Sequence, residues 1–148
     1  MKPVIFLRIA SVLTMIHAVL HTVGGVFGAI PPGPATVAAT AMMANQFMAL
    51  GHMRTFWDFY RGMGLAVSIF LTAEGIIFWL LGSLARTDAA RLRPVLAMFV
   101  LAYLAMSVNS YRYFFSAPVI VEILIALCLV AAIVTAKAHV ATSARVTA

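Results

Sequence analysis

Acidic side chains are nearly missing from this chain: Asp58, Glu74, Asp88 and Glu122 are the four among 148 residues. Charged residues of both signs make up 9%, against roughly a quarter in soluble domains. A soluble globular domain is excluded on that ground. Cysteine is as scarce. With Cys128 alone, an intrachain disulfide or a CxxC redox pair is excluded, and a thiol buried in apolar surroundings is usually inert. Internal repeats are lacking, which argues against a transporter built from inverted halves. The alternating strands of a membrane β-barrel are missing too, because runs such as LAVSIFLTAEGIIFWLLG are continuous.

What fills the chain instead is apolar: hydrophobic residues reach 64% and the mean hydropathy is +1.07. A helix needs about 20 mainly apolar residues to cross the hydrocarbon core. Crossings are predicted at 4–30, 56–82, 94–110 and 117–138, within a single domain 1–148 that ends in a tail, 139–148. The expected fold is therefore all-α, an integral membrane bundle of four transmembrane helices. PPGP at 31–34 stops the first crossing, and the Ala- and Met-rich stretch 35–50 is too short to span. It is expected to form an extra interfacial helix in the first loop. Met42, Met43, Met48 and Met53 either form an adaptable lid over a pocket or lie in lipid. Between the second and third crossings, ARTDAARLRP makes a tight charged turn, with Pro94 suited to open a helix.

Basic residues set the orientation. Lys2, Arg8, Arg86, Arg91, Arg93, Lys137 and Arg145 fall on one side, and Arg54, Arg61 and Arg112 on the other. Both termini are expected in the cytoplasm of a bacterial-type cell, with the protein in the inner membrane. Anionic lipid next to the basic loops accounts for the net charge of +6, and no nucleic-acid partner is implied. Although Lys2 and Arg8 precede an apolar run, Ile9 to Ile30 is longer than a signal h-region and carries no A-x-A site. The first run therefore reads as a crossing rather than a cleaved signal.

Ionisable groups inside a bilayer are costly unless paired or solvated, so they are the functional candidates. On the first crossing Thr14, His17, His21, Gly24 and Gly28 share one helical face, and Gly24 with Gly28 forms a small-xxx-small pair that would admit a neighbouring helix. Tyr103, Ser107 and Ser110 share a face of the third. Stacking the depths places His17, His21, Glu74, Tyr103, Ser107 and Glu122 around an expected outward-opening pocket. Trp57, Asp58, Tyr60, Arg61 and Arg112 are expected at its mouth, in the belt where aromatics and cations anchor. The same groups could instead pair structurally and hold the helices together. HAVLH puts two histidines at i and i+4, a spacing that can share a metal ion. It lacks the glutamate base of HExxH, and only one further carboxyl is expected nearby. No metal is assigned, with a metal or haem at His17 and His21 kept as the alternative. The two histidines are expected to pair with Glu122 or with hydroxyls of the third helix.

At the mouth of the second crossing, YRGMGLAVSIFLTAEGIIFWLLG carries an Arg-Gly pair, a further Gly two residues on and another in mid-helix. This segment resembles that of the DoxX-like small four-helix membrane proteins, as do the long first loop, the short basic second loop and Pro118 early in the fourth helix. Arg61, Gly62 and Gly64 are the residues that match. Some members of that group accompany quinone-linked sulfur oxidation. The resemblance therefore implies an accessory or binding role toward a small lipophilic ligand of quinone or lipid type, with a homo-oligomer or a larger membrane complex as further partner. A second, architectural similarity is to the sterol isomerase group, in which buried carboxyls face a lipophilic pocket. Glu74, Glu122 and Trp79 would play similar parts. An intramembrane enzyme, by proton transfer or by metal- or haem-dependent redox chemistry, is the alternative function.

Overall fold

The structure is a computed structural model that describes residues 2–136. The predicted tail 139–148, the last two residues of the predicted crossing 117–138, and the basic residues Lys137 and Arg145 lie outside the described residues. Five α-helices are described: α1 (Lys2–Leu20), α2 (Pro34–Ala44), α3 (Phe56–Asp88), α4 (Arg93–Tyr113) and α5 (Ser116–Thr135). A short hairpin, β1 (Gln46–Ala49) and β2 (His52–Thr55), separates α2 from α3. Four helical stretches are long and apolar enough to cross a membrane: Lys2–Val26, Phe56–Asp88, Ala90–Tyr113 and Ser116–Thr135. At 1.5 Å per residue α5 spans about 30 Å, the thickness of a hydrocarbon core, and α3 is about 50 Å long. The chain divides into two compact units, one of Met1–Thr14 with Glu74–Ala148 and one of Met15–Ala73.

The first unit is a four-helix core. Leu7 of α1, Phe78 of α3, Leu96 of α4, and Ile125 and Leu129 of α5 are fully buried. Between them Ala10, Ala126 and Ala132 are buried as well, small residues that let helix backbones approach closely. Phe78 meets Phe99 edge to face, their centroids 5.0 Å apart. Outside this core the pattern inverts, because Ile5, Leu101, Leu127 and Val134 are large, aliphatic and exposed. At one end Asp88 pairs with Arg91 at 2.8 Å across the α3–α4 turn, and the Arg93 side chain donates to the carbonyl of Ala136 beyond α5. Hydroxyls inside the helices mostly bond their own backbone: Thr14, Ser107 and Thr135 donate to the carbonyls of Ala10, Tyr103 and Ala131.

The second unit departs from the sequence expectation in two places. The first crossing, expected to run to residue 30, ends at Val26, after α1 passes into a π-helical stretch, His21–Val26. Phe27 N donates to Thr22 O at 3.0 Å, and a Cβ on Gly28 would overlap the carbonyl of Gly24. Gly24 and Gly28 thus close the end of their own helix rather than admit a neighbour, and a Cβ on Gly24 would meet nothing within 4 Å. Close approach falls instead at Gly64, where a Cβ would stand 2.9 Å from Val26 Cγ2.

The second departure is the hairpin within the span expected as one interfacial helix. α2 opens with Pro34 after Gly33 and stops at Asn45, whose backbone N–H and side-chain amide both donate to Ala41 O, at 3.1 and 2.7 Å. The strands then pair antiparallel, Gln46 with Thr55 and Ala49 with His52. Leu50 and Gly51 turn the corner with φ of 46° and 83°, the double positive φ of a type I′ turn. Thr55 and Asp58 form a reciprocal capping box at the start of α3. Thr55 N donates to Asp58 Oδ2 at 2.8 Å, and Asp58 N donates to Thr55 Oγ1 at 3.1 Å. Phe47 packs on Phe56 and Phe59, with centroids 4.8 and 5.3 Å away.

Candidate functional site

The sequence-predicted site residues fall in both units, and each unit gathers its own. In the first, Glu74, Tyr103, Ser107 and Glu122 line one polar seam. Periodicity explains it: Tyr103, Ser107 and Ser110 recur at four and three residues on α4, and all three are buried. Tyr103 O–H donates to Glu74 Oε2 at 2.8 Å. Thr14 Oγ1 of α1 lies 3.4 Å from the same phenolic oxygen and has Ala10 O at 2.9 Å. Each hydroxyl carries one proton, so once Tyr103 gives its proton to Glu74, only the Thr14 proton is left for that contact. It is drawn off by the nearer Ala10 carbonyl.

At the other end of the seam, Ser110 Oγ of α4 donates to Glu122 Oε1 of α5 at 2.8 Å. Glu122 is only 2% exposed, and its Oε2 is buried with no hydrogen-bond partner among the described residues. Buried polar atoms are nearly always satisfied, which makes this oxygen the exception in the seam. Arg112, expected at the pocket mouth, is exposed in the last turn of α4. Exposed Tyr111, Tyr113, Phe114 and Phe115 flank it, the composition of an interfacial aromatic belt.

In the second unit, His17 and His21 do not meet a carboxyl of that unit. His21 Nε2 lies 3.1 Å from Gly64 O and, facing a carbonyl, must be the protonated nitrogen there. This backbone partner on α3 lies within the same unit and is one that sequence reasoning did not name. A backbone carbonyl offers no signal in the sequence. His17 is half-buried, and its Nδ1 is buried without a partner among the described residues. No three His, Cys, Asp or Glu side chains come together among the described residues. Asp58 spends its carboxyl on the capping box, Trp57 stacks on Tyr60 with centroids 5.3 Å apart, and the Arg61 guanidinium lies 4.8 Å from the centroid of Phe27.

Arg8 served sequence reasoning for orientation and in weighing a signal peptide, not as a site residue. It reaches across to α3, stacks on the Trp79 ring 3.4 Å from the centroid, and donates from Nη2 to Ser83 Oγ at 2.9 Å. The available signal was an arginine set inside a crossing, a position that demands partners. Ser11 was missed as well, a buried hydroxyl that donates to Gly75 O at 2.6 Å and ties α1 to α3. No protein-family model, no curated protein and no solved structure matches the chain.

Proposed function

We propose that this chain is a multi-pass protein of a bacterial inner membrane, DoxX-like in kind, with both termini in the cytoplasm. Its buried carboxyl–hydroxyl seam receives the polar head of a small lipophilic molecule of quinone or lipid type, in a binding or accessory role. The observation that carries this reading is Glu122, buried among apolar helices with one oxygen held by Ser110 and the other without a partner among the described residues. In lipid a carboxyl oxygen left bare costs several kcal/mol, and a ligand hydroxyl would satisfy it. A quinol suits the site because its O–H can donate to Oε2 while its ring and tail stay in apolar surroundings. A proton-transfer enzyme is the second reading, favoured by the 2.8 Å contact of Tyr103 with Glu74, which would let a phenol and a carboxyl share a proton with substrate.

Mild-detergent purification, followed by an absorption spectrum and mass spectrometry of retained small molecules, tests the binding reading. A short-tail benzoquinone should quench tryptophan fluorescence saturably in the wild type and not in Glu122→Leu of unchanged helicity. A wild type that retains nothing and shows no saturable quenching overturns the reading. The orientation is tested separately by Thr40→Cys, which should label from the periplasmic side only. Labelling from the cytoplasm alone reverses the orientation.

A further inference from the structure

The end of the first unit where Arg8 lies holds a second cluster that the seam does not use. Arg8 is flanked by Gly82, where a Cβ would stand 3.3 Å from Arg8 Nε, so the glycine leaves space for the guanidinium to lie along α3. Trp79 and Ser83 hold it there, while Nη1 is buried without a partner among the described residues. Among the described residues no carboxyl neutralises Arg8 or Arg86, since the sole ion pair is Asp88 with Arg91. Both arginines line a groove of ≈ 410 Å³ whose remaining wall is the apolar face of α1 from Val4 to Leu13. Ile5, Ile9 and Val12, at four and three residues, run along that face as an exposed stripe. Two uncompensated cations beside an aliphatic trough match a molecule with an anionic head and a hydrocarbon tail.

We propose that this groove holds an anionic phospholipid, its phosphate at Arg8 and Arg86 and an acyl chain along Ile5, Ile9 and Val12. The proposal rests on the membrane insertion put forward above. Guanidinium groups match phosphate geometry, and a phospholipid without its own ammonium brings a net negative charge to the two arginines where a zwitterionic one brings none. Arg8 stands about 9 Å along α1 from Lys2, a depth from which a long side chain reaches the headgroup layer. The basic residues Lys2, Arg91 and Arg93 at the same helix ends suit a leaflet rich in anionic lipid.

Brominated acyl chains test it, because bromine quenches a nearby indole. The chain has two tryptophans, so Trp57→Phe leaves Trp79 as the reporter beside Arg8. In phosphatidylcholine vesicles, brominated phosphatidylglycerol should quench Trp79 more strongly than brominated phosphatidylcholine at equal mole fraction. Each arginine contributes about five-fold to that preference. Arg8→Gln and Arg86→Gln should each cut it by about that factor, and exposed Arg86 keeps the test available should Arg8→Gln misfold. Equal quenching by both lipids overturns the site, as does a preference that survives both substitutions. Abolition of the preference by millimolar inorganic phosphate would assign the arginines to free phosphate and overturn the lipid. Absence of quenching by either brominated lipid would remove membrane insertion itself, and the proposal with it.

Discussion

Replacing Ser110 by alanine deletes the hydrogen bond that reaches Glu122 among the described residues. Glu122 Oε2 already lacks a partner among the described residues and the residue is 2% exposed, so the variant leaves a carboxyl with neither oxygen satisfied by them. Leaving a buried acceptor unsatisfied costs about 1–3 kcal/mol, whereas bonds between helices in membranes reach about 1.7 at most. Where the two ranges meet, Ser110→Ala should cost about 1–1.7 kcal/mol. For a chain of this length that lowers Tm by about 2–7 °C. Glu122→Leu should behave differently. It removes the buried acid, and the stranded Ser110 hydroxyl can fall back on the carbonyl of Met106 one turn earlier, as Ser107 already does on Tyr103. Its cost should stay under about 1 kcal/mol or turn into a gain. The double variant should match Glu122→Leu rather than add to it. Unfolding in dodecyl maltoside with rising dodecyl sulfate, followed by far-ultraviolet circular dichroism, measures all three. A Ser110→Ala protein within about 0.5 kcal/mol of wild type, or a Glu122→Leu protein weaker than Ser110→Ala, would refute the reasoning.

Tyr103→Phe should cost about 1–2 kcal/mol by stranding Glu74, whereas Thr14→Val, whose hydroxyl proton goes to Ala10, should cost less than half as much; thermal unfolding of the pair checks the order. Gly64→Ala should destabilise by about 1–3 kcal/mol because its Cβ meets Val26 Cγ2 at 2.9 Å, and Val26→Ala in the same chain should restore most of the loss in that assay. Leu50→Asn relieves a positive φ on an aliphatic side chain and should stabilise the β1–β2 turn by about 1 kcal/mol, read as slower proteolytic cleavage between residues 46 and 55. Thr55→Ala should cost about 1 kcal/mol by breaking the capping box, and hydrogen exchange at Phe56 to Phe59 should speed up.

The four long helices were readable in the sequence because bilayer thickness and helical rise together demand runs of about 20 apolar residues, and few other signals compete in so apolar a chain. Tyr103, Ser107 and Ser110 were equally readable, since three hydroxyls at helical spacing stand out against Leu, Ala and Val. The hairpin was not. Its strands carry Phe47, Met48 and Ala49, as apolar as the helix before them, and its turn uses Leu50 where Asn would have announced a type I′ corner. Helical spacing put Gly24 and Gly28 on a packing face, but Gly24 lies in the π-helical stretch and Gly28 past its end, so the register on which that reading depended does not hold. The partner of His21 was hidden for a different reason: it is a main-chain carbonyl, and main-chain groups carry no residue type to read.

Hydroxyls folded back on their own helices have a consequence for biogenesis. Thr14, Thr22, Ser68, Thr72, Ser107 and Thr135 each satisfy themselves within four residues, so in the membrane proposed above their helices would leave the insertion machinery without waiting for a neighbour. The two glutamates differ. Glu122 lies twelve residues from Ser110 across one tight connection, so α4 and α5 would enter the proposed membrane as a hairpin with that bond already made. Glu74 belongs to a helix synthesised before its partner Tyr103, twenty-nine residues ahead of it. In the proposed membrane setting α3 would linger until α4 emerges, since Glu74 meets Tyr103 only once α4 has been made.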